Sequence, residues 1–418
     1  MAQYIFYAIL IIVILDFLLE RLLDYLNRTY WSDELPAVLR DIYDPDRYKK
    51  SQQYLRTNHR FSQITETFNF ILLIGMLFLG GFAFLDQLVR QITGHPILMA
   101  LLFFGILGFV ADLLGTPFSA YATFVIEERF GFNKTTVKTF LLDKLKGWFL
   151  GLIIGGGLLA LIVWIYMVTG QWFWLIAWSV ISSFTIFMAM FYSNLIVPLF
   201  NKQTPLEPGE LREAIEAFAA KANFPLRDIF VMDGSKRSSK ANAYFTGLGK
   251  KKRIVLYDTL IKDHPNEELV AVLAHEIGHY KKKHTTVGII TSIVQTGIML
   301  FILSLFIDNP ELSLALGSPE PSFHMGVLVF GILYTPLSMA LGLILNILSR
   351  KHEYAADRYA SVHYRPDSLK DALIRLSVNN LSNLRPHPAY VFFYYSHPPL
   401  LKRLQAIGRF PSQSAPTG

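Results

Sequence analysis

Seven runs of this sequence are apolar over roughly the length that crosses a lipid bilayer: about Tyr4 to Leu19, Phe68 to Leu88, Ile97 to Ala120, Trp148 to Val168, Trp172 to Val197, Thr286 to Ile307 and Met325 to Leu348. Inside hydrocarbon every backbone N–H and C=O needs a partner within the chain, so each run predicts a helix. The expectation is an all-α integral membrane protein with seven transmembrane helices. The first run lacks a basic flank and a small-residue cleavage site, so it reads as a retained span and not a signal peptide. Composition agrees, at 52% hydrophobic and 17% charged.

The basic residues give the orientation. Arg28, Arg40, Arg47, Lys49, Lys50, Arg56 and Arg60 follow span one, and Arg129, Lys134, Lys138, Lys144 and Lys146 follow span three. The segments after spans five and seven are also basic, whereas the loop after span two holds Arg90 and those after four and six hold neither Lys nor Arg. The alternation places the N-terminus outside and the C-terminus in the cytoplasm. The net charge of +7 thus reads as topology and not as a nucleic-acid patch. The chain has no cysteine, which excludes disulfides, thiolate nucleophiles and cysteine metal sites. Gly80-Gly81 and Gly155-Gly156-Gly157 lie within spans and predict close helix packing. Asp112, inside the third span, is either paired within the bundle or functional.

Between spans five and six, His275-Glu276-Ile277-Gly278-His279 places two imidazoles one helical turn apart with a carboxylate beside the first. Both rings can reach one zinc ion, and Glu276 is offset so that it can take a proton from a water the metal activates, as in zinc peptidases. Pro265 near the helix start, Glu267 and Glu268 in its first turn, and Lys281 to Lys283 at its end suit the helix dipole. Upstream, Pro208-Gly209-Glu210 opens an amphipathic helix with Leu211, Ile215, Phe218 and Ala219 on one face. Three candidate strands follow: Asp228 to Met232, Ala241 to Thr246 and Arg253 to Tyr257, separated by turn residues such as Gly234, Gly249 and Lys250. An exposed strand edge there can hold an extended peptide, although an ordinary hairpin reads the same way.

Catalytic zinc usually has three protein ligands, so one is missing. The best candidate is Glu353, with Asp357 one turn on to accept a hydrogen bond from a ligand imidazole. A solvated face paired with Lys351 or Arg358 is the alternative, and His352 is a rival ligand. The chain therefore divides into 1–200 (spans one to five), 201–285 (cytoplasmic catalytic segment, a small α+β unit), 286–348 (spans six and seven) and 349–418 (a cytoplasmic segment completing the site).

Asn242 to Gly247, His275 to His279, Glu353 to Asp357, and Ser396-His397-Pro398-Pro399-Leu400 with Arg403 beyond together carry a resemblance. In order and spacing the chain resembles the type I CAAX prenyl endopeptidases, the a-factor-processing type of zinc protease, and more distantly the bacterial heat-shock membrane peptidases. The resemblance implies one Zn2+ held by His275, His279 and Glu353, Glu276 as general base and Asp357 behind the ligands. It also implies that Asn242 and Ala243 dock substrate, and that His397 and Arg403 reach the site. His397 would donate to the oxyanion, and Arg403 would pair with a carboxylate or position a carbonyl. It further implies a large water-filled chamber between the helices, which Asp112 would line.

Ala355 stands where such proteins are expected to carry glutamine. The end, Arg409 to Gly418, holds no lysine-rich or KDEL-type retrieval signal, and the short, cysteine-free chain leads to the expectation of a bacterial member in an inner membrane, whose substrate need not be prenylated. The expected activity is hydrolysis near the C-terminus of prenylated CAAX-type peptides, with membrane lipid as a further partner. A rival is a quality-control protease of broad specificity. Another is a transporter or inactive scaffold with structural zinc, against which three ligands with an open position argue, since structural sites are normally closed by four.

Overall fold

The apolar runs become long helices. In the computed structural model, residues 1–36, 39–40, 43–246 and 252–409 are described; Gly247, Gly249, Lys250 and the stretch 410–418 lie outside them. The first half contains α1 (Ala2–Arg28), α2 (Pro45–Phe78), α3 (Gly81–Ile92), α4 (Pro96–Tyr121), α5 (Val137–Leu150), α6 (Gly157–Thr169) and α7 (Phe173–Leu195). Among the described residues, six helical runs are long and apolar enough to cross a membrane: Ala2–Arg28, Pro45–Phe78, Pro96–Phe130, Val137–Phe200, His284–Phe306 and Phe323–His363. The fourth covers two of the seven expected runs, and Gly170 at φ 52° turns the chain between them.

Two expectations need correcting. The second run was placed at Phe68 to Leu88, but Gly80 adopts φ 67°, which halts α2 near Phe78 and starts α3. Instead α2 reaches back to Pro45, where Asp44 caps it by accepting from the Arg47 N–H at 2.8 Å. Gly81 is indeed closely packed, since a Cβ there would run into Met76. Gly155 and Gly157 are not: a Cβ on either would meet nothing within 4 Å. Their neighbourhood, Gly151–Gly156, forms a wide i→i+5 turn joining α5 to α6.

The segment after α7 folds around a four-stranded sheet of β1 (Gln203–Pro205), β2 (Leu226–Met232), β3 (Ala243–Thr246) and β4 (Lys252–Tyr257), in the order β1-β2-β4-β3. β2 and β4 are parallel, while β1 and β3 run antiparallel to their neighbours. The sequence reading missed β1, a three-residue edge too short to show a period. Helix α8 (Glu210–Lys221) buries Ile215, Phe218 and Ala219 as expected. Beside it lies α9 (Asn266–Lys281), whose Leu269, Leu273 and Ile277 share a core with Ile229, Ile254 and Leu256 of the sheet.

Helix α10 (His284–Phe306) returns to the apolar layer, and α11 (Phe323–His363) then runs unbroken for 41 residues, about 60 Å at 1.5 Å per residue. Its far end is clasped by a buried Asp86–His324 pair, Oδ1 to Nε2 at 2.6 Å. Its near end packs along α9 and carries Glu353 and Asp357. The chain closes with α12 (Pro366–Asn379), α13 (Pro388–Tyr394) and α14 (Leu400–Ile407).

Candidate metal centre and active site

Seven residues of α9, Leu269, Val270, Ala271, Leu273, Ala274, Ile277 and Gly278, are buried together with His275. A helix apolar on nearly every side sits inside a domain and is held rigidly there. Pro265 stands just before its first residue, and Glu267, Glu268 and Lys281 occupy the turns that the dipole favours. His275 and His279 share the face turned to α11. The two helices meet at Gly278, where a Cβ would stand 3.0 Å from the Tyr359 Cβ and 3.1 Å from the Ala356 Cα.

That close approach brings Glu353 to the imidazoles. The two Nε2 atoms are 3.1 Å apart, and Glu353 Oε2 is 3.5 Å from His275 Nε2 while Oε1 is 3.2 Å from His279 Nε2. Ligands about 2.0–2.1 Å from a tetrahedral ion stand roughly 3.3 Å from one another, so this donor set fits a metal. Glu353 Oε2, although buried, finds no hydrogen-bond partner among the described residues. Burial opposes charge on His275, yet the Asp357 and Glu353 carboxylates that face its ring nitrogens outweigh it and push its pKa up to about 9. The cluster favours a cation at its centre. His352, the rival ligand, instead stacks on His284 with centroids 3.9 Å apart.

Behind the ligands, His275 Nδ1 lies 2.9 Å from Asp357 Oδ1. Arg403 of α14 holds that carboxylate from the other side, and its Nη1 is 3.6 Å from Glu353 Oε2. Burial opposes the charge on Arg403, yet the Asp357 carboxylate, by its Coulombic pull and its hydrogen bonds, holds the guanidinium above its ordinary value. His397 approaches from the open side, Nε2 3.3 Å from Glu353 Oε1, with its side chain 63% exposed. Glu276 is half-buried and lines a cavity of about 1220 Å³.

This cavity joins two environments. One wall carries Asn242, Ala243, His275, Glu276 and His397, and another carries Met188 and Ala189 of α7 and Leu345 and Leu348 of α11. β3 is a sheet edge. Asn242 C=O accepts from the Tyr257 N–H at 3.1 Å, so by antiparallel alternation Ala243 and Phe245 turn their backbone groups away from β4. The Ala243 N–H donates to the Asn242 side-chain oxygen at 2.8 Å, so the first outward donor of the edge is covered by the strand's own amide.

Two family models match in tandem: "CAAX prenyl protease N-terminal, five membrane helices" over residues 25–202 and "Peptidase family M48" over residues 205–410. The "CAAX prenyl protease 1 homolog" of Arabidopsis thaliana is 37% identical over 382 residues, covering 89% of this chain and 90% of the relative. The "CAAX prenyl protease 1" of Saccharomyces cerevisiae is 35% identical over 426 residues, covering 94% and 93%. The crystal structure of S. mikatae Ste24p superposes with a TM-score of 0.90 at 35% identity, covering 96% of this chain and 99% of that one. The chain belongs to the CAAX prenyl protease 1 family of M48 metallopeptidases.

As a member of that family it is a multi-pass membrane metalloendopeptidase, and the residues that carried the resemblance converge. His275, His279, Glu353, Asp357 and Arg403 form one connected cluster, with Glu276, His397, Asn242 and Ala243 on the same cavity. Asp112 is paired: Lys144 donates to both its oxygens at 2.8 Å and the Trp148 indole donates at 2.9 Å. Sequence reasoning missed two groups. Lys240, two residues before Asn242, bonds Tyr54 at 2.9 Å and Glu127 at 3.0 Å beneath the Phe132 ring, and Tyr54 also donates to Glu127. His284 sits against His279; neither position belongs to a periodic pattern that would have flagged it.

Proposed function

We propose that this metalloendopeptidase uses zinc to cut near the C-terminus of prenylated CAAX-type peptides. The observation that carries the proposal is the single cavity lined at once by the β3 edge, the metal cluster and the apolar residues Met188, Ala189, Leu345 and Leu348. A peptide laid along β3 would leave an attached isoprenoid beside α7 and α11, away from water. The names of the Arabidopsis and yeast relatives point to the same substrate class.

His275, His279 and Glu353 would hold the ion, which when bound lowers the pKa of a water to about 7 and polarises a carbonyl. Glu276 takes a proton from the attacking water and passes it to the leaving amine. His397 donates a hydrogen bond to the oxygen that becomes negative in the transition state, and Asp357 fixes the His275 ring. Asn242 and Ala243 hold the peptide once the Asn242 amide turns from its own strand to the substrate. Arg403 supports the cluster through Asp357. The alternation of Lys and Arg between loops supports seven crossings, the run Val137–Phe200 crossing twice, with the N-terminus outside and the site on the cytoplasmic side.

The test is a cleavage time course on a farnesylated CAAX peptide and its unprenylated twin, with Glu276→Gln as control. Cleavage by the wild type alone, faster on the farnesylated peptide, supports the proposal. Equal cleavage of both favours a quality-control protease, and retained activity in Glu276→Gln rejects the assigned base.

A further inference from the structure

The two metal-facing histidines are supported differently. His275 turns Nδ1 to a carboxylate held by an arginine. His279 turns Nδ1 to another imidazole: His284 Nδ1 lies 3.0 Å away, with ring planes at 74°. Residues five apart do not meet on a regular helix. They meet here because Lys283 adopts φ 59°, a left-handed conformation that a side chain other than Gly, Asn or Asp seldom takes. This residue ends the path from α9 and folds the first residue of α10 back over the site. The His284 ring then lies flat on His352, centroids 3.9 Å apart and planes at 8°, next to Glu353.

We propose that His284 is a positioning residue that accepts the Nδ1–H of His279 and so fixes which nitrogen His279 offers to the metal. An imidazole that ligates through Nε2 carries its proton on Nδ1, and that proton needs an acceptor. His284 Nδ1 is placed to accept it, with the remaining proton of His284 on Nε2. The stack on His352 holds the accepting ring in plane, and the left-handed residue between the helices is retained because the contact requires it. His275 is thereby steered by Asp357 near the end of α11, and His279 by the first residue of α10. This inference rests on the reading of His279 as a ligand.

Three variants of the full-length protein in detergent test it: His284→Phe keeps a ring on His352 but cannot accept, His284→Asn can accept, and His279→Ala removes the ligand. Zinc affinity is measured by competition with a chelator, and the visible bands of the cobalt-substituted protein are recorded alongside. The expected result is zinc bound about 10- to 100-fold more weakly by His284→Phe, with shifted cobalt bands, and near-wild-type values for His284→Asn. Wild-type affinity and bands in His284→Phe overturn the inference alone, as does equal loss in His284→Phe and His284→Asn, which would make the role one of packing. A wild type without zinc, or zinc undiminished in His279→Ala, overturns the underlying reading and the inference with it.

Discussion

Arg403 grips Asp357 with two parallel hydrogen bonds, Nε to Oδ2 at 2.8 Å and Nη2 to Oδ1 at 2.6 Å, and the carboxylate is otherwise wholly buried. Arg403→Ala leaves that charge with His275 as its remaining partner, so about 3–5 kcal/mol of stability should be lost. Arg403→Lys should rescue little of it, because an ammonium cannot reproduce the bidentate fork. Thermal unfolding in detergent, read beside zinc content, checks both.

Gly278 sets the spacing between the helices that bring His275 and Glu353 together. Gly278→Ala places a methyl group against the Ala356 backbone, which cannot yield as a flexible side chain would. Overpacking of this kind costs about 1–3 kcal/mol. The expected outcome is a folded protein with much weaker zinc binding, and an unchanged affinity in chelator competition would contradict it.

His264 precedes α9 with its side chain fully buried and neither ring nitrogen hydrogen-bonded among the described residues. Burial lowers its pKa, and Glu268, 3.5 Å away, only partly opposes that. A histidine whose folded pKa is depressed contributes stability that is present above its unfolded value near 6.5 and is lost as pH falls toward the folded value. The melting temperature should therefore drop between pH 7.5 and 5.5, and the drop should shrink in His264→Phe.

Lys240 anchors the approach to β3, the strand proposed to hold the peptide, through Tyr54 and Glu127, which belong to the membrane half. Lys240→Met should raise KM for peptide several-fold while leaving zinc content and melting near wild type. A fall in kcat at constant KM would place the effect elsewhere.

Much of this site was legible because it obeys short-range rules. Residues four apart share a helix face, so His275 with His279 and Glu353 with Asp357 announced themselves, and apolar run length announced most membrane helices. What stayed hidden depended on backbone conformation and tertiary partners. Gly80 could equally be a packing glycine or a helix terminus, and only its left-handed φ moved the second span back to Pro45. The choice of Glu353 over His352 is a matter of which side of α11 faces α9. The pairing of Lys240 with Tyr54 spans 186 positions, beyond any local pattern.

The 41-residue helix α11 has a consequence for how the protein is made. The histidines on α9 are synthesised before α10 and α11, whereas Glu353, Asp357 and Arg403 lie at or beyond the end of α11 that packs on α9. A nascent chain halted before α11 owns both imidazoles but neither supporting carboxylate, so it cannot assemble the metal cluster. The cluster of His275, His279 and Glu353 is thus complete only once α11 has been made.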